Sequence, residues 1–485
     1  MCTAERKLNI LVVIGLLFLP PLFFFTLGVE RAAVYSIFTS IILLWITEAL
    51  PLPATGLLVP ILISLYGAMP AANAFSAFGN DILFLFLGCF LMGRSMEKHG
   101  LDKRIAYVLL GRFMPGTSFA SINITIAATA FLLSMWISNT SATAIVSAVT
   151  VGIIRSLSHY VSEQNIRRKV AARLLLSCAF AASIGGLATP VGSPPNLIAL
   201  GFLEQKGIKI SFLEWMKMGL PISIFMLVCL LLIFSLVFPL RGLAFPEIKQ
   251  EFQKKLLELG PMGAPERQIG GIFLITVGLW ILPGLLAGVF PTVAWIGTLN
   301  SMLSMSVVGL VGGVLTFALP IKEEGRILRN LEWSETDSIE WGTLMLFGGG
   351  LTLGMLLEQS GTAKQLSDSL FGSGIVGPVQ LGILVVVCSI VLSEFASNTA
   401  SASILIPLIL AATGTQGASL ESAGALALVA TFGASFGFMF PISTPPNAIV
   451  YATGEVSAVD MRRIGFIFDL IGGAAIVAYF LVVIT

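Results

Sequence analysis

Two polar triplets interrupt apolar sequence, Ser138-Asn139-Thr140 and Ser397-Asn398-Thr399, and each is followed by a proline break. The breaks are Gly192-Ser193-Pro194-Pro195-Asn196 and Ser443-Thr444-Pro445-Pro446-Asn447. An asparagine amide presents its carbonyl oxygen to a cation and its NH₂ to an anion, and Ser or Thr hydroxyls serve either. Paired prolines remove two backbone donors and break a helix. The freed carbonyls can ligate a cation, while the half-helix that follows offers amides and its positive dipole end to an anion. On a continuous helix, three consecutive residues fan out by about 100° each. One of them would then face lipid unpaired, at roughly 2–7 kcal/mol. A re-entrant hairpin tip removes the conflict, because all three can face a wet cavity. A single triplet would read as interhelical hydrogen bonding and a single proline as a kink; matched pairs favour a site.

Hydroxyls, amides and carbonyls without softer ligands suit a hard cation such as Na⁺. The same groups suit carboxylates. No Lys or Arg falls in these blocks, so dipoles and co-bound cations must offset an anion's charge. A cation bound first makes the cavity tolerable to a dianion.

Glu48, Asp81 and Glu394 lie in or beside apolar runs, where ionisable residues default to functional hypotheses. Glu394, three residues before the second triplet, is expected to stabilise the hairpin ahead of any direct ion role. Only two histidines occur, His99 and His159, and the five cysteines, Cys2 among them, are scattered without metal-ligand spacing. A histidine triad, a zinc site or an intramembrane hydrolase is therefore not supported, and the chain does not read as an enzyme. Gly348-Gly349-Gly350 fits close helix packing better than phosphate binding, since no Walker-type lysine follows.

The elements that hold these residues are membrane helices. Of 485 residues, 56% are hydrophobic and 11% charged, against about 25% charged in a soluble domain. Mean hydropathy is +0.95, and 27 basic against 26 acidic residues exclude a nucleic-acid binder. Apolar runs extend from residues 8–28 to 463–485, several too short to span alone. The first, holding Pro20-Pro21, reads as a retained helix. The expected class is an all-α polytopic membrane protein, with N-terminal helices in 1–50, a first repeat in 51–240, a polar linker in 241–268 and a second repeat in 269–485.

The repeat is visible in three blocks. MGRSMEKHG (92–100) matches LGMLLEQSG (353–361), WISNTSATA (136–144) matches FASNTASAS (395–403), and ATPVGSPPNLIA (188–199) matches MFPISTPPNAIV (439–450). Arg155, Arg167, Arg168, Lys169 and Arg173 separate the last two blocks in the first copy, whereas 404–438 has no Lys or Arg. Around the first block, Arg94, Lys98, Lys103, Arg104 and Arg112 outnumber the lone Lys364. Lys and Arg mark cytoplasmic loops, so the copies are expected in inverted topology, with position 165 inside and position 417 outside. Inverted repeats place a substrate and ion site at their interface, which is transporter architecture.

At the paired SNT triplets and the GSPPN and STPPN loops, the sequence resembles the divalent anion/sodium symporter family, nearly end to end and most closely its bacterial sodium/dicarboxylate branch. The resemblance implies an elevator-type carrier in the inner (plasma) membrane. It would be a homodimer with about eleven transmembrane helices per protomer and two re-entrant hairpins. It implies sodium-coupled uptake of C4-dicarboxylates (succinate, malate, fumarate), with Na⁺ co-transported and no organic cofactor. Dicarboxylate exchange is the runner-up, and sulfate or citrate stay possible as substrates. Carried over by position, Ser134, Ser138, Asn139 and the Gly192 backbone would form one sodium site. Ser393, Asn398 and the backbone at Ala396 and Ser443 would form the other. Asn139, Thr140, Ser193, Asn398, Thr399, Thr444 and Pro445 would meet the substrate. Ser393 and Ser443 stand where Thr and Ala are expected.

Overall fold

The computed structural model describes residues 3–112, 114, 116–157, 163–240, 247–290, 293–323, 326–362, 365, 378–413 and 420–484. Among these, everything regular is helical except one antiparallel ribbon, Pro320–Glu323 with Arg326–Arg329. Helices suit lipid because they satisfy their backbone polar groups internally. Thr3–Thr26 runs as one helix through Pro20 and Pro21. Among the described residues five helices are long and apolar enough to cross a bilayer, or six if the bent pair Ala71–Gly79 and Asp81–His99 is one span.

Others are too short by construction. Phe119–Ser134 and Asn398–Thr413 have 16 residues each, about 24 Å at 1.5 Å per residue, against a hydrocarbon core of about 30 Å. Phe119–Ser134 and Asn139–Leu157 form one hairpin; Pro378–Phe395 and Asn398–Thr413 form its counterpart. A broken helix follows each: Gln164–Gly185 then Pro194–Gln205, and Leu420–Ala434 then Pro445–Ala452. Every residue from 170 to 185 is buried, so the first broken helix runs through the centre of the bundle.

The repeats are inverted. Asp81–His99 matches Trp341–Gln359, and their ends meet head to tail. Lys98 pairs with Glu335 at 2.7 Å and His99 Nε2 lies 3.0 Å from Asn330 O, in the segment leading into Trp341. At the opposite end Glu204 lies beside Asp81, where the first helix begins. Lys206 pairs at 2.6 Å with Glu358, where the second ends. Equivalent helices therefore run in opposite directions.

Each is crossed by a helix of the other repeat through glycine. A Cβ on Gly56, in Leu52–Leu65, would lie 2.5 Å from Met345 O, and one on Gly349 would strike the Gly56 carbonyl. In the mirrored crossing, a Cβ on Gly88 would strike Gly309 O, and one on Gly313, in Met305–Ala318, would lie 2.9 Å from Gly88 Cα. The 348–350 glycines thus serve close packing, as their context suggested.

Two expectations change. The 241–268 stretch is more than a loop: it contains the helix Glu247–Glu258, and Ala264 opens the helix Ala264–Val289. Arg104 pins this junction, donating to Leu259 O, Gly260 O and Glu266. Arg173 is no loop charge. It is 5% exposed within Gln164–Gly185, donates to Phe238 O and Ser235 Oγ at 2.9 Å, and stacks over Phe119. Cys2, His159, Lys364 and position 417 lie outside the described residues.

Candidate substrate and cation site

Each triplet divides its labour. Ser138 and Ser397 cap the outgoing hairpin arms, accepting from Ser141 N at 3.2 Å and Ala400 N at 3.1 Å. Capping by Ser is expected where four N–H groups lack intrahelical partners. The asparagine begins the arm and turns back to the incoming one: Ser134 Oγ lies 2.5 Å from Asn139 Oδ1, and Ser393 Oγ 2.7 Å from Asn398 Oδ1. Thr140 and Thr399 follow in the first turn.

The proline breaks are stapled by residues whose role the sequence did not disclose. Asn196 Nδ2 donates to Gly186 O and Thr189 O at 2.8 Å; Asn447 Nδ2 donates to Gly437 O at 2.9 Å and Phe440 O at 3.1 Å. The carbonyl partners match one for one between repeats. One expectation is corrected here. Prolines occupy the first two positions of both half-helices, so those positions have no N–H to offer. The next amides bond internally, Asn196 N to Ser193 O and Asn447 N to Thr444 Oγ1. These half-helices bring dipole and hydroxyls to an anion.

All four pieces enclose one cavity of about 450 Å³. Asn139, Thr140, Ser193, Asn398, Thr399, Thr444 and Pro445 all line it. Leu52, Gly342 and Leu346 close one wall, and Glu340 is its carboxylate. Ser138 and Ser443 also line it, while Ser134, Ser393 and Ala396 lie buried behind the tips. Gly192 opens with Ser138 on an adjoining cavity that reaches Arg94, Glu97 and Asp102.

Behind each tip, oxygens crowd together. Asn139 Oδ1 sits 3.2 Å from Gly192 O, 3.2 Å from Ala182 O and 2.5 Å from Ser134 Oγ. Turning the amide places Nδ2 there as a donor; leaving it creates an oxygen cage fit for a hard cation. Gly186 and Gly192 permit the approach, since a Cβ on Gly186 would strike the Asn139 amide and one on Gly192 would lie 2.6 Å from Gly186 O. At the second tip Ser393 Oγ lies 2.7 Å from both Asn398 Oδ1 and Ala434 O. The carbonyls of Ala182 and Ala434 escaped the sequence, because a backbone oxygen leaves no mark in residue type.

Glu394 ties the second hairpin to the loop of the broken helix that follows it. Its Oε1 accepts from Phe438 N at 2.7 Å and Met439 N at 2.8 Å, and its Oε2 from Ser443 Oγ at 2.7 Å.

A family model, the transmembrane region of sodium:sulfate symporters, matches residues 3–483. The chain belongs to that family. Sodium:sulfate symporters are integral membrane transporters, not enzymes. Among its relatives, the sodium-dependent dicarboxylate transporter SdcS of Staphylococcus saprophyticus is 32% identical over 99% of this chain and 93% of that protein. SdcS of a bovine Staphylococcus aureus strain is 33% identical over 95% and 88%. Solved structures of Neisseria gonorrhoeae MtrF and the Alcanivorax borkumensis YdaH transporter share the fold. TM-scores are 0.57 and 0.52, identities 12% and 16%, each over 87% of this chain and over 83% and 87% of those chains.

Proposed function

We propose that this family member is a secondary active carrier that brings C4-dicarboxylates (succinate, malate, fumarate) into the cytoplasm together with Na⁺. The observation that carries this is the single cavity walled by both triplets and both proline loops. The SdcS relatives, named as sodium-dependent dicarboxylate transporters, support the substrate class and the coupling ion.

Sodium binds first, one ion at Ser134, Ser138, Asn139 and Gly192 and one at Ser393, Ala396, Asn398 and Ser443. Each cage is neutral, so each ion adds a full positive charge close to the cavity. One carboxylate of the dianion then meets Asn139, Thr140 and Ser193, and the other meets Asn398, Thr399, Thr444 and Pro445. The N-terminal dipoles of both outgoing arms and both half-helices point their positive ends at it. Without sodium a dianion would lose hydration with no formal positive charge beside it, and that cost is the coupling.

The hairpins and broken helices move as a unit past the glycine-crossed helices, an elevator carried by a homodimer. The Lys206–Glu358 ion pair joins the moving and fixed parts at one end and must break during the cycle.

The test is uptake of radiolabelled succinate into proteoliposomes, with inward Na⁺, with K⁺ in its place, and with vesicles preloaded with unlabelled succinate. Concentrative uptake that needs Na⁺ and no preloading is expected. Uptake that ignores Na⁺ and needs internal dicarboxylate would make the protein an exchanger.

A further inference from the structure

The helix Ala458–Ile484 carries an acidic side chain, Asp469, in its apolar interior. It is 6% exposed, and among the described residues neither carboxylate oxygen meets a hydrogen-bond donor. Its polar neighbour is the carboxyl of Glu394, within hydrogen-bond reach. The helix face explains the meeting. A Cβ on Gly465, one turn earlier, would strike the Phe438 backbone, and one on Gly472, about one turn later, would strike the Phe436 ring. The 465–469–472 face therefore looks onto the loop whose Phe438 and Met439 amides hold Glu394.

The first repeat builds the same junction without acids. A Cβ on Gly219 would strike Leu187 O as one on Gly465 strikes Phe438 O. Ser211 caps its helix with Glu214 as Ser457 does with Asp460. In this alignment Ser223 stands where the second repeat has Asp469, and it satisfies itself on Gly219 O at 2.6 Å. Met135 stands at the Glu394 position, and Thr189 Oγ1 holds its carbonyl at 2.5 Å. The fold does not need the carboxyl pair, yet the second repeat buries both members together.

Three donors satisfy Glu394 as a carboxylate; none serves Asp469. Two facing carboxyls in an apolar bundle either share a proton or hold a cation between them. We propose that Asp469 and Glu394 form a further Na⁺ site, separate from the two hairpin-tip cages. Carboxylate oxygens are the hard donors Na⁺ takes. The ion sits against the loop carrying Ser443 and Thr444, so its occupancy bears on the substrate wall. This inference rests on the sodium-coupled function proposed above.

The experiment compares wild type with Asp469→Asn and with Asp469→Ser, the residue the other repeat uses at this junction. Sodium and succinate fluxes are counted in proteoliposomes, and sodium-dependent melting is followed on detergent-purified protein without substrate. The expected result is one fewer sodium carried per succinate, with the Hill coefficient for sodium falling by about one in melting. If a variant folds but carries too little succinate, melting alone decides. A variant with unchanged sodium ratio and cooperativity overturns the site, as does one in which only the pH profile moves. Wild-type uptake indifferent to sodium overturns both this site and the function beneath it. Sodium-dependent wild type with an unchanged variant overturns this site alone.

Discussion

Ser393 Oγ lies 2.7 Å from Asn398 Oδ1 and equally 2.7 Å from Ala434 O. One hydroxyl hydrogen divided between two acceptors serves each only weakly, so the three oxygens keep lone pairs to offer a cation. At the other tip Ser134 Oγ meets Asn139 Oδ1 at 2.5 Å. Removing the hydroxyl should weaken sodium binding while sparing the fold. Ser393→Ala is expected to raise the sodium concentration for half-maximal succinate uptake roughly tenfold, about 1.4 kcal/mol, and Ser393→Thr to restore it. Equal sodium dependence in Ser393→Ala and wild type would remove this serine from the cation site.

Asn139→Ala and Asn398→Ala should abolish uptake with insertion intact, because each amide serves cation and anion at once. Radiolabelled succinate uptake, normalised to protein recovered in the membrane, checks this. Wild-type rates in either variant would dissolve the site.

The loop staples make a different prediction. Asn447→Leu leaves the Gly437 and Phe440 carbonyls without their donor, at about 1–3 kcal/mol each. Thermal unfolding in detergent should show a clear loss of stability, with uptake lost alongside. Asn196→Leu should behave alike, since its bonds match. A variant melting with wild type would show that the loops hold themselves.

The glycine crossings can be tested against an internal control. Gly349→Ala and Gly88→Ala place a methyl group into facing backbone and should destabilise by about 1–3 kcal/mol, the usual range for overpacking. A Cβ on Gly278 meets nothing within 4 Å, so Gly278→Ala should be neutral or stabilising, as helix propensity favours Ala. Melting temperatures decide; no difference among the three would refute the close crossings.

Orientation is checked by labelling in a background without native cysteines. Asn165→Cys, at the start of Gln164–Gly185 next to the Arg167–Glu455 and Arg168–Asp460 pairs, should react only from the cytoplasm. Lys209→Cys, at the end where Lys206 meets Glu358, should react only from outside. Labelling of both from one face would contradict a first broken helix that crosses the membrane.

Residue type and repetition alone determined the membrane class, the duplication, the inversion and the polar blocks that line the cavity. Ser138-Asn139-Thr140 and Ser443-Thr444-Pro445 are conspicuous because polar or helix-breaking groups in apolar sequence are costly, and a cost met twice in matched order marks a use. What only the tertiary structure decided depends on backbone atoms and on distances across the chain. The Ala182 and Ala434 carbonyls carry no signature in an apolar run. Asn196 and Asn447 reveal themselves as staples only when their loops fold back. Arg173, one more basic residue in a charged stretch, becomes a buried strut because Phe238 O and Ser235 lie 65 and 62 residues away in sequence but within 2.9 Å in space. Asp469 reads as one acid in a terminal helix until the packing of Gly465 and Gly472 brings it to Glu394. Sequence registers what each residue would cost in lipid; only the fold shows which partner offsets that cost.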